Sequence, residues 1–265
     1  MRRITLMILG LGLALLPAAR AEDWSKTYTL TGKPDLRVET SDANIRVDTW
    51  NQNTIEARVT AEGWKIGAGG VKVLEHQAGD SVAIEVRLPH QTCVICVHPQ
   101  SHRVEVEVHM PHEGHVNLRT GDGSIRLSGF KGTMEVQSGD GGQDLEAVDG
   151  SLKARTGDGH LKAEGRFDDL QLSSGDGHID ARALAGSTVG SNWDLQTGDG
   201  AVTLQVPDSF SADLDLRTGD GHIDLDLPVT VEGRLGPNNI RGKLNGGGKP
   251  LTIHTGDGSI RLQKS

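Results

Sequence analysis

The chain has 265 residues and a formal net charge of −9 at pH 7, and only 3% of its residues are aromatic. An acidic chain of this kind is not expected to bind nucleic acid, because phosphates attract basic surfaces. The length allows a sizeable core, which Leu, Ile, Val and Ala must build because aromatic residues are scarce.

Residues 1–21 have the pattern of a secretory signal peptide. Arg2 and Arg3 precede a short apolar run over residues 4–16, and a small-residue cleavage site ends at Ala21. The run is too short to span a bilayer comfortably, and no later segment of the sequence is apolar enough for a transmembrane helix. We therefore expect cleavage near Ala21 and an exported protein, either periplasmic or outside the cell at its surface. Cleavage would remove three of the 27 basic residues and none of the 36 acidic ones, leaving a net charge near −12.

Residues 22–112 form a less regular region. Residues 40–47 echo the turn and strand of the later repeats, with Ser and Ala where glycines stand, and predict one degenerate coil. Alternating segments predict strands around 54–60, 81–88 and 103–110. We expect this irregular β region to cap residues 113–265 and to form one continuous domain with them, because the open end of a repeat array is a bare sheet edge.

Cys93 and Cys96 are the two cysteines of the chain. In an exported protein an even count favours a disulfide, although residues i and i+3 point to opposite faces of a regular strand, so a bridge needs a turn there. Free or buried thiols remain open, and so does a metal or redox role. Zinc held by both cysteines with His98 and His102 would have an unusually short central spacer.

Residues 113–265 are dominated by one recurring tetrapeptide, Thr/Ser-Gly-Asp-Gly. The first four copies are evenly spaced, and the later gaps are longer and unequal, the last being the longest. A period of about 20 residues indicates one small structural unit that is stacked many times. The copies begin at Thr120, Ser138, Thr156, Ser174, Thr197, Thr218 and Thr255.

Strict alternation of apolar and polar residues surrounds each tetrapeptide and predicts short strands. Ile125-Arg126-Leu127 follows one turn, and Leu170-Gln171-Leu172 leads into another. Each unit is therefore expected to be strand, turn, strand, turn. Stacked at about 4.8 Å, such units predict an all-β, single-stranded β-solenoid or β-helix with coils of about 18–23 residues. An antiparallel β-sandwich is the alternative, because it uses strands at a similar spacing.

The turn aspartates raise the question of a metal site. Stacked carboxylates bind calcium in other solenoids, yet the oxygen-rich cage that calcium requires is not evident here. We expect plain turns, because glycine tolerates positive φ and aspartate can bond its own downstream backbone, with the Thr or Ser facing inward. Calcium binding is the alternative, and no cofactor is expected. The seven residues are Asp122, Asp140, Asp158, Asp176, Asp199, Asp220 and Asp257.

Three histidines, His160, His178 and His222, each follow a Gly-Asp-Gly. Other repeats place Ser124, Gly142, Ala201 or Ser259 at the same position. Because such different residues occupy this position, we expect the histidines to lie at the surface. A zinc or copper patch of stacked His and Asp is the alternative.

The order of these features resembles the bacterial putative-adhesin family. The resemblance rests on the exported start, the strand at residues 104–111, the repeated turns that lead into Ile/Leu strands, and the ending over residues 244–260. It covers roughly residues 26–263. It implies an envelope-associated β-strand-repeat protein, largely of unknown function, with surface binding and without catalytic residues.

The sequence thus predicts a non-enzymatic, adhesin-like protein that is structural or surface-binding in the bacterial envelope. Serine-hydrolase elbow, zinc-protease and P-loop motifs do not occur in it. A carbohydrate-active β-helix enzyme, with paired carboxylates, and a cation-stabilised repeat protein are the alternatives. An envelope, polysaccharide or protein surface is the expected partner, and edge-mediated self-association is also open. Any local function is expected where the repeat breaks, at residues 91–102, 184–192 and 229–250.

Overall fold

A computed structural model describes residues 22–89, 102–231, 236 and 238–265. Over these ranges the secondary structure is entirely β, which confirms the predicted class. The same ranges contain no helix that is long and apolar enough to cross a membrane. The expected signal peptide, Cys93 and Cys96, and most of residues 91–102 lie outside the described residues.

Twenty-one strands follow one another along the described chain. The first seven are β1 (Glu22–Thr29), β2 (Asp35–Thr40), β3 (Asn44–Trp50), β4 (Thr54–Glu62), β5 (Lys72–Ala78), β6 (Ser81–Arg87) and β7 (Arg103–Pro111). The next seven are β8 (Glu113–Arg119), β9 (Ile125–Ser128), β10 (Lys131–Gln137), β11 (Gln143–Arg155), β12 (Leu161–Ser173), β13 (Ile179–Ala183) and β14 (Trp193–Thr197). The last seven are β15 (Val202–Val206), β16 (Ala212–Thr218), β17 (Ile223–Asp226), β18 (Val229–Val231), β19 (Asn239–Leu244), β20 (Pro250–Thr255) and β21 (Ile260–Lys264).

The strands form two columns of parallel pairs, joined by the turns. The pre-turn column runs β6, β2, β8, β10, the end of β11, the end of β12, β14, β20 and β16. The post-turn column runs β7, β3, β9, the start of β11, the start of β12, β13, β15, β21 and β17. Antiparallel strands extend the ends: β5 on β6, β4 on β7, β1 on β4, β19 on β16 and β18 on β19.

The parallel register aligns equivalent residues of successive repeats. Met134 pairs with Leu152, and Leu152 pairs with Leu170, so partners occupy the same position in consecutive units. Inward side chains in these ladders are fully buried, whereas their neighbours along each strand point outward. Parallel pairing of this kind does not occur in an antiparallel sandwich. The Leu/Ile/Val core predicted from composition therefore lies between the two columns.

The turn glycines are required by close stacking rather than by backbone conformation. The φ angles of the glycines in the seven turns lie outside the left-handed region, so these turns do not use the tolerance of glycine for positive φ. A Cβ on Gly141 would collide with the carbonyl oxygen of Gly123, and one on Gly177 would collide with that of Gly159. Each turn rests on the backbone of the turn beside it, and only a residue without a side chain fits.

The Thr or Ser before each Gly-Asp-Gly lies inside the molecule, as predicted. Thr156 is 7% exposed, and its Oγ1 donates to the carbonyl of Gly141 in the neighbouring turn at 3.1 Å. In the turn at Thr218 the same hydroxyl also accepts the N–H of Gly221 at 3.1 Å. This backbone contact, expected of the aspartate, belongs to the hydroxyl instead, because that side chain points inward while the aspartate points to solvent.

The first and last coils of the chain lie inside the stack rather than at its ends. The β2–β3 pair lies between β6–β7 and β8–β9. Likewise, β20–β21 lies between β14–β15 and β16–β17. The long gap between the turns at Thr218 and Thr255 is therefore filled by β17, β18 and β19 at the end of the stack, after which the chain returns inward.

Candidate functional site

The exposed edge of the turns carries a line of carboxylates, which we call the aspartate row. Most of these aspartates lean over the next turn; Asp140 Oδ1, for example, lies 3.1 Å from the Cβ position of Gly157. These side chains are exposed, and none of them forms an ion pair with another described residue. In stacking order the row is Asp42, Asp122, Asp140, Asp158, Asp176, Asp199, Asp257 and Asp220.

The aspartate row is solvated, which bears on the calcium alternative. Neighbouring charges at strand spacing repel by about 1 kcal/mol in water, whereas partial burial would raise this severalfold. Within the described ranges, no three His, Cys, Asp or Glu side chains come together in a way that could hold a metal ion. Calcium binding by Asp140 and its equivalents therefore stays a prediction from the sequence, and it rests on a row of exposed carboxylates.

A second line of side chains, the charge row, runs along the outer face of the post-turn column. Register places Arg46 beside Arg126, then Asp144, then Lys162, then Asp180. Asp144 Oδ2 lies 3.3 Å from the Arg126 guanidinium, and its Oδ1 lies 3.6 Å from Lys162 Nζ. The charges on this face are thus largely paired with one another, unlike those of the aspartate row.

Lys162 also binds the next acidic side chain on the same face. Its Nζ lies 2.7 Å from Glu146 Oε1. The hydrogen bond from Lys162 lowers the pKa of Glu146, and the bond to Glu146, followed by the charge of Asp144, raises the pKa of Lys162. These shifts come from pairing at an exposed surface, so they indicate a stabilising network and not a tuned acid or base.

A shallow groove of about 350 Å³ crosses the charge row where Gly142 replaces the larger residues of neighbouring repeats. Ser124 and His160 flank the gap, and Arg126 and Lys162 form its floor together with Asp144. The groove could take a small polar group. Two carboxylates line it, those of Glu105 and Asp144, and the second is already engaged by two cations. The groove therefore lacks the free pair of acids that glycoside hydrolysis requires.

The three predicted histidines are exposed and lie along one line, at different steps of the stack. His160 Nε2 is 3.5 Å from Asp180 Oδ2, and His178 Nδ1 accepts the N–H of Ala201 at 3.0 Å. Each histidine therefore contacts the neighbouring coil. The structure supports the surface interpretation for these two, with contacts between coils as their role.

The third histidine, His222, lies between a serine and an aspartate, an arrangement that was not predicted from the sequence. Ser259 Oγ lies 2.9 Å from His222 Nδ1, and His222 Nε2 lies 3.2 Å from Asp224 Oδ2. The side chains of His222 and Asp224 are 66% and 49% exposed, and Arg261 also reaches Asp224 at 3.6 Å. Water and Arg261 therefore compete for the contacts that would activate a serine. The three side chains instead connect two neighbouring repeats.

Ser259 and His222 occupy the same position after Gly-Asp-Gly in two repeats. That shared position was the signal available in the sequence. It could not be used because a shared turn position in two consecutive copies does not tell whether their side chains come within hydrogen-bonding distance.

The described breaks in the repeat have structural roles. In residues 184–192, Ser187 is 5% exposed and its Oγ accepts the N–H of Phe167 at 3.0 Å. Trp193 follows directly, packing edge-on against Phe167 at 6.1 Å and beside Phe210 at 4.7 Å between ring centres. This break therefore seats the aromatic cluster of the core. Residues 229–250 supply β18, β19 and the return to β20.

Arg166 forms ion pairs with two carboxylates. Its guanidinium bonds Asp149 Oδ1 at 2.5 Å and Asp168 Oδ1 at 2.6 Å. The bond from Arg166 lowers the pKa of Asp168, and the two carboxylates raise the pKa of Arg166. This cluster lies beside the irregular pairing of β11 with β12, where the register shifts. It therefore holds a bulged corner of the stack.

Comparison with known proteins identifies a family that spans almost all of the described chain. The sequence pattern of the Toastrack DUF4097 family matches residues 26–263, which confirms the resemblance drawn from the sequence. No curated protein matches the chain.

Several solved structures are similar at low identity. A putative cell adhesion protein from Clostridium sporogenes is 15% identical, with a TM-score of 0.44 and coverage of 93% of this chain and 100% of the other. A putative adhesin from Parabacteroides merdae is 10% identical, with a TM-score of 0.45 and coverage of 92% and 97%. A putative lipid binding protein from Parabacteroides distasonis is 13% identical, with a TM-score of 0.44 and coverage of 91% and 97%.

Proposed function

The chain belongs to the Toastrack DUF4097 family, and from this premise we propose that it is an exported, non-enzymatic, adhesin-like protein of the bacterial envelope. In this role it presents its stacked outer rows to a polysaccharide or protein surface. Residues 1–21 are the signal peptide in this proposal, and the mature chain is periplasmic or lies at the cell surface. Mass measurement of the exported protein tests the cleavage near Ala21.

We also infer that the two columns are the walls of one β-solenoid comprising residues 22–265. The inference is supported by the alternation of the chain between the columns, with one strand contributed to each column per repeat. Paired residues such as Met134 and Leu152 are separated by the same interval as the turns at Ser138 and Thr156. Residues 22–112 share the same two columns through β2 and β3, so a single continuous domain follows.

The observation that carries the proposed function is the repetition of exposed side chains in register along the whole stack. A flat face of this kind offers the same contact at every step of about 4.8 Å. Extended repeat surfaces suit extended partners, because many weak contacts add along the array. The aspartate row has the least internal pairing, so it is the face on which the proposal is tested first.

The experiment measures binding of the mature protein to glycan arrays and to envelope fractions. The double variant Asp140→Asn/Asp158→Asn removes two charges from the aspartate row, and Glu56→Gln/Glu62→Gln removes two exposed charges from β4 as the matched control. We expect the first variant to lose binding by severalfold and the second to bind like the wild type. Failure of the wild type to bind in both assays would contradict the adhesin role.

A further inference from the structure

The C-terminal coil, residues 250–264, occupies a place in the stack that another copy of the chain could fill equally well. It comprises β20, the turn at Thr255 and β21. Leu251 pairs with Trp193 on one side and with Leu214 on the other. Since a strand has only two edges, β14 and β16 do not pair directly in the described sheet, and this coil lies between them.

The coil is buried and forms hydrogen bonds on both of its sides. Ile253 and Ile260 are fully buried. Thr255 Oγ1 donates to the carbonyl of Gly200 at 2.8 Å below it, and Thr218 Oγ1 donates to the carbonyl of Gly258 at 2.7 Å above it. The coil therefore contacts both of its neighbours at once.

The segment that returns the coil to this place is a glycine hinge with an unusual backbone. Residues 245–249 lie between β19 and β20. Asn245, Gly246 and Gly247 have φ values of 49°, 86° and 86°, three left-handed residues in succession. Such a conformation favours glycine and is strained for other residues. If the hinge extends instead, the coil leaves its own stack, and the hinge gives up its own hydrogen bonds, such as those of Asn245 Nδ2 to the carbonyls of Asp208 and Phe210.

We propose that this protein forms an intertwined dimer by exchange of the C-terminal coil between two copies. Each copy places its residues 250–264 between β14–β15 and β16–β17 of the partner, and all ladder contacts are preserved. Only the hinge differs between monomer and dimer, which is the condition under which exchange costs least. Five extended hinge residues reach about 17 Å, so the two stacks lie side by side. This inference stands apart from the proposed adhesin role.

The first arm of the test changes the hinge in the mature full-length chain. Gly246 has open space at its Cβ position, so Gly246→Val acts through φ alone and favours an extended hinge. Gly69→Val is the matched control, because Gly69 has a φ of 83° and equally open surroundings, in the loop before β5. After refolding over a range of protein concentrations, light scattering should show a dimer fraction several-fold above wild type for Gly246→Val only.

The second arm distinguishes exchange from ordinary association. Asp194 and Thr252 are partners on adjacent strands, and a strand spacing of about 4.8 Å lies within the Cα separation that a disulfide spans. With Asp194→Cys and Thr252→Cys added, oxidation joins β14 to β20 within one chain in the monomer and between two chains in the exchanged dimer. A chain with only Cys93 and Cys96 controls for the native cysteines.

Exchange predicts a covalent dimer on a non-reducing denaturing gel. Dimers that dissociate to monomers on that gel would overturn the proposal, as would equal dimerisation by Gly69→Val. If Gly246→Val does not fold, the cysteine pair in the wild-type hinge decides the matter. In that case a covalent dimer that increases with refolding concentration supports exchange, and its absence at all concentrations contradicts it.

Discussion

At the residue scale, the tetrapeptide turn divides its work among its members. The hydroxyl of Thr156 ties one turn to the next from inside, whereas Asp158 remains in solvent. The second glycine permits the approach of the two backbones. The pattern was visible in the sequence, but a turn motif alone does not tell whether glycine is needed for φ or for space.

Two adjacent glycines separate these roles experimentally. A Cβ on Gly141 would collide with the backbone of Gly123, whereas one on Gly142 would lie 3.5 Å from the carbonyl oxygen of His160, an ordinary contact. We expect Gly141→Ala to lower the free energy of unfolding by about 1–3 kcal/mol through overpacking. Gly142→Ala should be neutral or raise it by up to about 1 kcal/mol, because it restricts the unfolded chain.

Denaturant unfolding of both variants measures the difference. Equal destabilisation by the two substitutions would show that glycine is needed at these positions for backbone freedom, contrary to the stacking argument.

At the element scale, ion pairs between neighbouring strands stabilise the outer face of the sheet. Asp144 lies between Arg126 and Lys162 in the charge row. Asp144→Lys would replace two attractions with two repulsions, each about 1 kcal/mol in water at strand spacing. The four changes add up to about 3–4 kcal/mol by this Coulomb estimate. Exposed pairs contribute only about 0.2–1 kcal/mol each when measured, so we expect a loss of about 1–2 kcal/mol in unfolding free energy at low salt. The loss should shrink at higher ionic strength because salt screens exposed charges.

Thr203→Lys is the control in the same row. Thr203 pairs with Asp180 on one side and Arg261 on the other, so an added cation meets one attraction and one repulsion. Its stability should change little and should depend on salt as the wild type does. A similar loss for both lysine variants would point to strand propensity or desolvation and not to the order of charges.

The strands also show which parts of the fold could be predicted from the sequence. Period-two alternation predicted the strands, and the spacing of the turns predicted which repeats pair over β8 to β13. The inward return of β20 and β21 could not be predicted, because every turn carries the same stacking surface and accepts any neighbour.

At the scale of the whole molecule, the ion pairs determine how the stability of the fold changes as the pH becomes acidic. Cationic partners lower the pKa of Glu113, Glu146 and Asp168 below the ordinary values of 4.5 and 3.8. The folded protein therefore binds protons less readily than the unfolded chain does. The stability from these pairs is fully present above the unfolded pKa and is lost as pH falls through the folded pKa. We expect Tm to be level near neutrality and to fall below about pH 4.5.

Arg166 offers the sharpest test of this dependence. Arg166→Met removes the hydrogen bonds that lower the pKa of Asp168. We expect a lower Tm at neutral pH and a smaller further drop in acid, because Asp168 then titrates nearly alike in the folded and unfolded states. Arg182→Met is the control, since its nearest carboxylate, Glu164, is 3.9 Å away. Its Tm profile should run parallel to that of the wild type, and a profile for Arg166→Met that also ran parallel would show that the Asp168 pair contributes nothing to acid sensitivity.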